Sequence, residues 1–160
     1  IGTTACVVYI YKDEKGIKNI LCANVGDTRA VLIQKNSTVV KRISFDHKCT
    51  EITESERIKS SGGFIINNRV FGQLVLSRAL GDHSLKKYGV SCIPFISKNI
   101  ANDGDIIVMG SDGIWDVISD DEIMKYTKDF TTAEEFSKFV IKTAANAGSK
   151  DNMSCISIKI

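Results

Sequence analysis

Four aspartates in this 160-residue chain, Asp27, Asp112, Asp116 and Asp151, stand at turns that end or open strand-like runs. Asp112 follows the apolar run Ile106-Ile107-Val108-Met109, which reads as a buried strand, and it lies between Gly110 and Gly113. Asp116 comes four residues later. Asp27 occupies the Gly26-Asp27 turn after another apolar run, and Asp151 opens the last strand after Gly148-Ser149-Lys150. An acid fixed at the tip of a rigid core strand is poorly solvated and takes a partner: a hydrogen-bond donor, an Arg or Lys, or a hard cation. Ends of neighbouring strands can converge on one sheet edge, where several carboxylates repel and a divalent cation compensates. Carboxylate and water ligands without His or Cys favour Mg2+, Mn2+ or Ca2+ over zinc. The competing reading is that each Asp only bonds its own turn backbone, as most turn aspartates do. The EF-hand spacing of calcium loops is absent.

The elements that must position these acids are legible from pattern. Ala5 to Tyr11, Ile20 to Val25 and Arg29 to Ile33 read as strands. Gly26-Asp27 predicts a tight hairpin between the last two, with Gly where φ must be positive, and Thr38-Val39-Val40 predicts a fourth strand of the same meander. Thr53 and Glu56 have capping-box spacing, which predicts a helix from Glu54 to Ser61 ended by Gly62-Gly63. Phe64 to Leu80 reads as short strands and turns, and Phe95 to Met109 as strands broken at Asn102-Asp103-Gly104. Two further capping boxes, Ser119 with Glu122 and Thr132 with Glu135, predict two helices. The second carries the stripe Phe136, Phe139, Val140, Ala144 and Ala147, which predicts packing on a sheet, and ends at Gly148. The final strand alternates Ile156, Ile158 and Ile160 with Ser157 and Lys159. Strands first and helices near the end predict an α+β fold of largely antiparallel sheets covered by helices. With no repeat or linker, residues 1–160 form one domain.

Composition removes several function classes. The 43% hydrophobic and 25% charged residues are those of a soluble globular protein, and a net charge of +2 gives no field that calls for nucleic acid. No apolar run approaches the roughly 20 residues that span a bilayer, and the opening Ile1-Gly2-Thr3-Thr4-Ala5 is a poor signal peptide. Five cysteines, with no CxxC pair, read as small buried thiols of a reducing compartment, hence an intracellular protein, cytoplasmic or nuclear. The chain opens at Ile1 inside what reads as a strand, which predicts an N-terminally shortened piece of a longer domain.

Taken together, the motifs form a recognisable series. Gly2-Thr3-Thr4-Ala5, Ala23-Asn24-Val25-Gly26-Asp27-Thr28-Arg29-Ala30 and Asp46-His47-Lys48 come first. Glu56-Arg57-Ile58 with Gly62-Gly63 follows, then Arg69-Val70-Phe71-Gly72 with Leu76-Ser77-Arg78-Ala79-Leu80-Gly81-Asp82. Ser111-Asp112-Gly113-Ile114-Trp115-Asp116 and Gly148-Ser149-Lys150-Asp151-Asn152-Met153-Ser154 complete it. The series resembles the metal-dependent Ser/Thr protein phosphatases of type 2C. That resemblance implies a sandwich of two mainly antiparallel sheets flanked by helices, here without its N-terminal strands and helices. It also implies a binuclear Mn2+ or Mg2+ centre acting on phosphoprotein substrates. Asp112 and Asp151 match ligands of the catalytic metal pair, and Asp27 and Asp116 match acids that share a third metal site with Asp112. Metal-activated water would then attack phosphorus without a covalent enzyme intermediate. The stretch Thr50 to Gly63 resembles the flap beside the cleft.

The resemblance also implies what the chain lacks. The family's Asp-Gly-His segment, whose Asp bridges both metals and whose His is the proposed general acid, occurs nowhere in the sequence. The general acid and the phosphate-binding Arg are expected upstream of Ile1. His47 and His83 read as non-catalytic, and Arg29, Arg78 and Asp82 as partners of buried polar groups. Two readings stand: part of an active phosphatase that is inactive alone, or a non-catalytic phosphatase-like binding module. Exposed strand edges left by missing strands favour dimerisation or strand exchange in either case.

Overall fold

The computed structural model describes all 160 residues. The first five strands are β1 (Gly2–Thr3), β2 (Ala5–Lys12), β3 (Lys18–Val25), β4 (Arg29–Ile33) and β5 (Val40–Arg42). Helix α1 (Ile52–Ser60) leads into the short strands β6 (Ile65–Ile66), β7 (Arg69–Val70) and β8 (Leu80–Gly81), and then into α2 (His83–Lys86). Strands β9 (Phe95–Ile100) and β10 (Ile106–Gly110) follow. The chain ends with α3 (Asp112–Trp115), α4 (Asp120–Tyr126), a 3-10 turn at Thr127–Asp129, α5 (Ala133–Asn146) and β11 (Cys155–Lys159).

Two antiparallel sheets, β2-β3-β9 and β11-β10-β4-β5, face one another. Ile20 and Cys22 of the first meet Ala30, Leu32 and Ile107 of the second to form the sandwich core. The other face of the four-stranded sheet presents Val31, Ile33 and Val108 to Ile114, Trp115, Ile123, Phe136 and Val140 of α3 to α5. All five residues of β4 are therefore buried, which explains an apolar run without alternation. A third, smaller core of Cys49, Ile58, Val70, Ala79 and Val90 lies under α1 and holds a small lobe that contains the flap-like stretch Thr50 to Gly63.

Helices cover only the four-stranded sheet. On the outer face of β2-β3-β9, Val7 and Tyr9 are each 61% exposed, Ile96 is 60% and Ile100 57%. Cross-strand pairing places Val7 opposite Ala23 and Ala23 opposite Ile96, so these three form one apolar row, with Lys98 between Ile96 and Ile100 on the same face.

Three local expectations change. Gly26-Asp27 is not a hairpin: β3 pairs with β2 and β9, whereas β4 pairs with β10 and β5, so the turn carries the chain between sheets. The predicted fourth strand begins only at Val40 and pairs with β4 alone. Helix α1 starts at Ile52 with Glu51 at its N-cap and no side-chain cap, because Thr53 already lies inside the helix. Strand β11 alternates as expected: Ile158 and Ile160 pack against the sandwich core, and on the other face Ser157 Oγ donates to Ala133 O at 2.6 Å under α5, while Ile156 is 58% exposed. The Ser119–Glu122 capping box forms in full, and Thr132 accepts from the Glu135 amide as half of one.

Candidate metal centre at the sandwich edge

Local packing sets the first acid. After β10, Ser111 caps α3, and its hydroxyl donates to Asn152 O at 3.0 Å and accepts from the Ser154 amide at 3.0 Å. Trp115 anchors the turn beneath, its Nε1 donating to Gly110 O at 2.9 Å. A Cβ on Gly113 would stand 2.5 Å from Asn152 O, so only glycine admits the 149–154 loop so closely. Ser149 Oγ donates to Gly113 O at 2.6 Å and closes the seam. This stitching brings Asp112 and Asp151, distant in sequence, to one cavity.

That cavity has a volume of about 470 Å³, and all four predicted acids line it: Asp27, Asp112, Asp116 and Asp151. Asp112 and Asp151 each accept one amide hydrogen bond, from Gly113 at 2.9 Å and Asn152 at 2.7 Å. Asp27 is buried at the β3–β4 turn. Burial first, and then the negative charge of Asp112, push its carboxyl up to about 6, while Lys48 acts against them. Asp116 is exposed and pairs with Lys48 at 3.3 Å.

As placed, no three acidic, His or Cys side chains converge closely enough to hold a metal ion. The donors are nevertheless carboxylates alone, the set that hard cations take, and Asp27 is raised first by burial and then by the Asp112 charge, with Lys48 offsetting only part of this. The side chains thus fit Mn2+ or Mg2+ in kind and supply part of a coordination shell.

Two cavity residues escaped functional assignment by sequence. Lys48, in the Asp46-His47-Lys48 motif, is the cation that faces Asp27 and Asp116. Arg69, at the start of β7, also lines the cavity and donates to Gln73 O at 2.9 Å. Both lie in recognisable motifs, but only the fold brings them across from the acids.

Arg29, Arg78, Asp82, His47 and His83 do not line the cavity. Arg29 bonds Asp46 at 2.5 Å and Asp120 at 2.7 Å over the Trp115 ring. Arg78 bonds Glu54 at 2.7 Å, and Asp82 lies 3.5 Å from the Ile1 amino group. His47 is fully buried, and His83 opens α2 away from the acids. All five cysteines are free thiols, and none lines the cavity.

Comparison with known proteins gives this site its context. The profile of the family described as Protein phosphatase 2C matches residues 1–153. A rice protein named "Probable protein phosphatase 2C 62" is 38% identical over 163 residues, covering 99% of this chain and 54% of its own length. The chain thus spans about half the length of the curated relatives it matches. A Toxoplasma gondii phosphatase structure superposes with a TM-score of 0.79 at 20% identity, over 97% of this chain and 62% of that one. The catalytic domain of the Ser/Thr phosphatase PstP, solved with two manganese ions, gives a TM-score of 0.65 at 20% identity, over 98% of this chain and 57% of that one. No helix here is long and apolar enough to cross a membrane. By its profile match and its relatives, this chain belongs to the protein phosphatase 2C family.

Proposed function

We propose that this chain carries metal-holding carboxylates of a phosphatase that hydrolyses phosphoserine and phosphothreonine in proteins. Asp112 and Asp151 would hold the catalytic Mn2+ or Mg2+ pair, and Asp27 and Asp116 would join Asp112 at a third cation. One observation supports this above the rest: four acids from three separate stretches of sequence line one cavity, and one is destabilised as a carboxylate by burial and then by its neighbour. When bound, such cations supply Lewis acidity for the hydrolysis of a phosphate ester.

The chain's own residues have separate tasks. The Ser111–Trp115 turn and its seam to Asn152 hold Asp112 and Asp151 on rigid backbone. Lys48 restrains Asp116. Arg69, lining the same cavity and with no carboxylate partner, offers a planar guanidinium to an incoming phosphate. No thiol lines the cavity to act as a nucleophile. The substrates are phosphoproteins; a net charge of +2 and the lack of a spanning helix give no reason to invoke nucleic acid or a bilayer. Because no Asp-Gly-His segment is present, the chain by itself should turn over no substrate.

Binding of a fluorescent phosphothreonine peptide, followed by anisotropy with and without Mn2+, tests this reading. It predicts binding that requires Mn2+ and is lost in Asp112→Asn, without phosphate release by the chain alone. Binding indifferent to Mn2+ and to Asp112 would instead favour a non-catalytic binding module. Mn2+-dependent phosphate release by the purified chain would refute its incompleteness.

A further inference from the structure

His47 is completely buried, yet its Nε2 has no hydrogen-bond partner. A polar ring kept in the interior with one nitrogen unpaired needs a reason, because an apolar ring of the same shape would avoid the cost. The other nitrogen supplies that reason. Nδ1 lies 2.9 Å from the Gly26 carbonyl oxygen and 3.2 Å from the Gly26 amide nitrogen. Either neutral tautomer therefore bonds the same residue, donating to the Gly26 carbonyl of the Gly26–Asp27 peptide or accepting from the Gly26 amide of the Val25–Gly26 peptide. Burial holds the ring's pKa below its ordinary value, so the ring is neutral.

The Gly26 peptide is the one that aims Asp27. Gly26 has φ +96°, and a Cβ there would lie 2.3 Å from Thr4 Cγ2, so the turn has no alternative residue. Its carbonyl also accepts from the His47 amide at 3.0 Å and from Asn24 Nδ2 at 3.3 Å. Asn24 in turn bonds Phe45 in both directions, donating to its carbonyl at 2.6 Å and accepting from its amide at 3.1 Å. On its far side, the His47 carbonyl accepts from the Ser77 amide at 3.0 Å. Ser77 Oγ donates to Glu54 of α1 at 2.5 Å, inside the flap. One residue thus spans from the Asp27 turn to the flap.

We infer that His47 is a positioning residue: its Nδ1 bond to the Gly26 peptide holds Asp27 in the cavity, and its main chain ties that turn to the flap. This rests on the reading of Asp27 as a cation-facing acid. The geometric claim can be tested without any metal.

The test compares His47→Asn, His47→Gln and His47→Phe in the purified chain. Asn places an amide where Nδ1 stands, Gln reaches only the Nε2 position, and Phe keeps the shape alone. In metal-free 15N–1H spectra, His47→Asn should leave the Gly26 to Thr28 amides near their parent positions. His47→Gln and His47→Phe should displace them while Val108 and Val140 stay in place. Mn2+ affinity should stay within about twofold of the parent for Asn and fall about tenfold for the other two, the scale of one buried hydrogen bond. If His47→Phe fails to fold, the contrast between Asn and Gln decides. Equal spectra and affinities for Asn and Gln would overturn the proposal, as would Gly26 and Asp27 amides that stay in place in His47→Phe. A parent chain that binds no Mn2+ but shows the predicted amide pattern would refute the metal reading and leave the role of His47 standing.

Discussion

Replacing Glu54 by Gln should strongly destabilise the flap. Glu54 lies in α1 with its side chain only 2% exposed. Burial opposes its charge, but Arg78, Arg57 and Ser77 overcome that cost and hold the carboxyl well below its ordinary value. Arg78 reaches it at 2.7 and 3.0 Å, Arg57 at 2.7 Å and Ser77 Oγ at 2.5 Å. Removing the shared anion leaves two guanidinium groups facing each other with partial burial. A fully buried pair broken this way costs about 3–5 kcal/mol. Arg57 is 29% and Arg78 19% exposed, so water recovers part of that, and we expect about 3 kcal/mol. For a chain of this length the loss lowers Tm by about 6–12 °C.

The pH dependence has a definite sign. A carboxyl depressed by folding stabilises the native state above its unfolded pKa of about 4.5 and loses that contribution as pH falls towards its folded value. The gap between parent and Glu54→Gln should therefore be constant from pH 6 to 8. Below about pH 4.5 it should shrink by up to about 1.4 kcal/mol per pH unit. Urea unfolding followed by circular dichroism at pH 7 and pH 3 measures both. A gap under about 0.5 kcal/mol at pH 7, or an equal gap at both pH values, would refute the reasoning.

Three further outcomes follow from the same geometry. Gly113→Ala, whose Cβ meets Asn152 O at 2.5 Å, should cost about 1–3 kcal/mol in urea unfolding and shift the amides of residues 151–154; unchanged amides would contradict the seam. Asp27→Asn should raise the stability of the metal-free chain at pH 7 by about 1 kcal/mol, because it removes a buried charge facing Asp112, and should weaken Mn2+ binding. A destabilised Asp27→Asn chain in the same unfolding assay would contradict that. The apolar face of Val7, Tyr9, Ile96 and Ile100, with the open strand edges beside it, should drive concentration-dependent self-association in sedimentation velocity, relieved by Tyr9→Lys with Ile96→Lys. A monomer at high concentration would count against it.

Much of the fold was legible because local chemistry and tertiary context agree. The Ser119–Glu122 cap, the Phe136–Val140–Ala144 stripe and the Ile106–Met109 strand need no distant partner to be read. Gly26 shows the limit. Its positive φ is legible, but whether the following strand returns to the same sheet depends on partners more than 70 residues away in β10. The start of α1 was misplaced because Thr53 and Glu56 mimic a capping box, while the helix is secured through Glu54 by Ser77 and Arg78 in a distant segment. The four acids could be nominated from their turns, but their common cavity follows from the Ser111–Asn152 seam and from the β4–β10 pairing. Lys48 and Arg69 carry no spacing signal towards the acids, and they join them only when the flap folds over the sandwich edge.

The central claim is that these carboxylates exist to hold divalent cations. Electron paramagnetic resonance of Mn2+ titrated into the purified chain tests it most directly, because only the free ion gives the sharp six-line signal. The account predicts saturable loss of that signal in the parent chain and its abolition in Asp112→Asn combined with Asp151→Asn, with circular dichroism unchanged. Equal Mn2+ uptake by the parent and the double variant would contradict it.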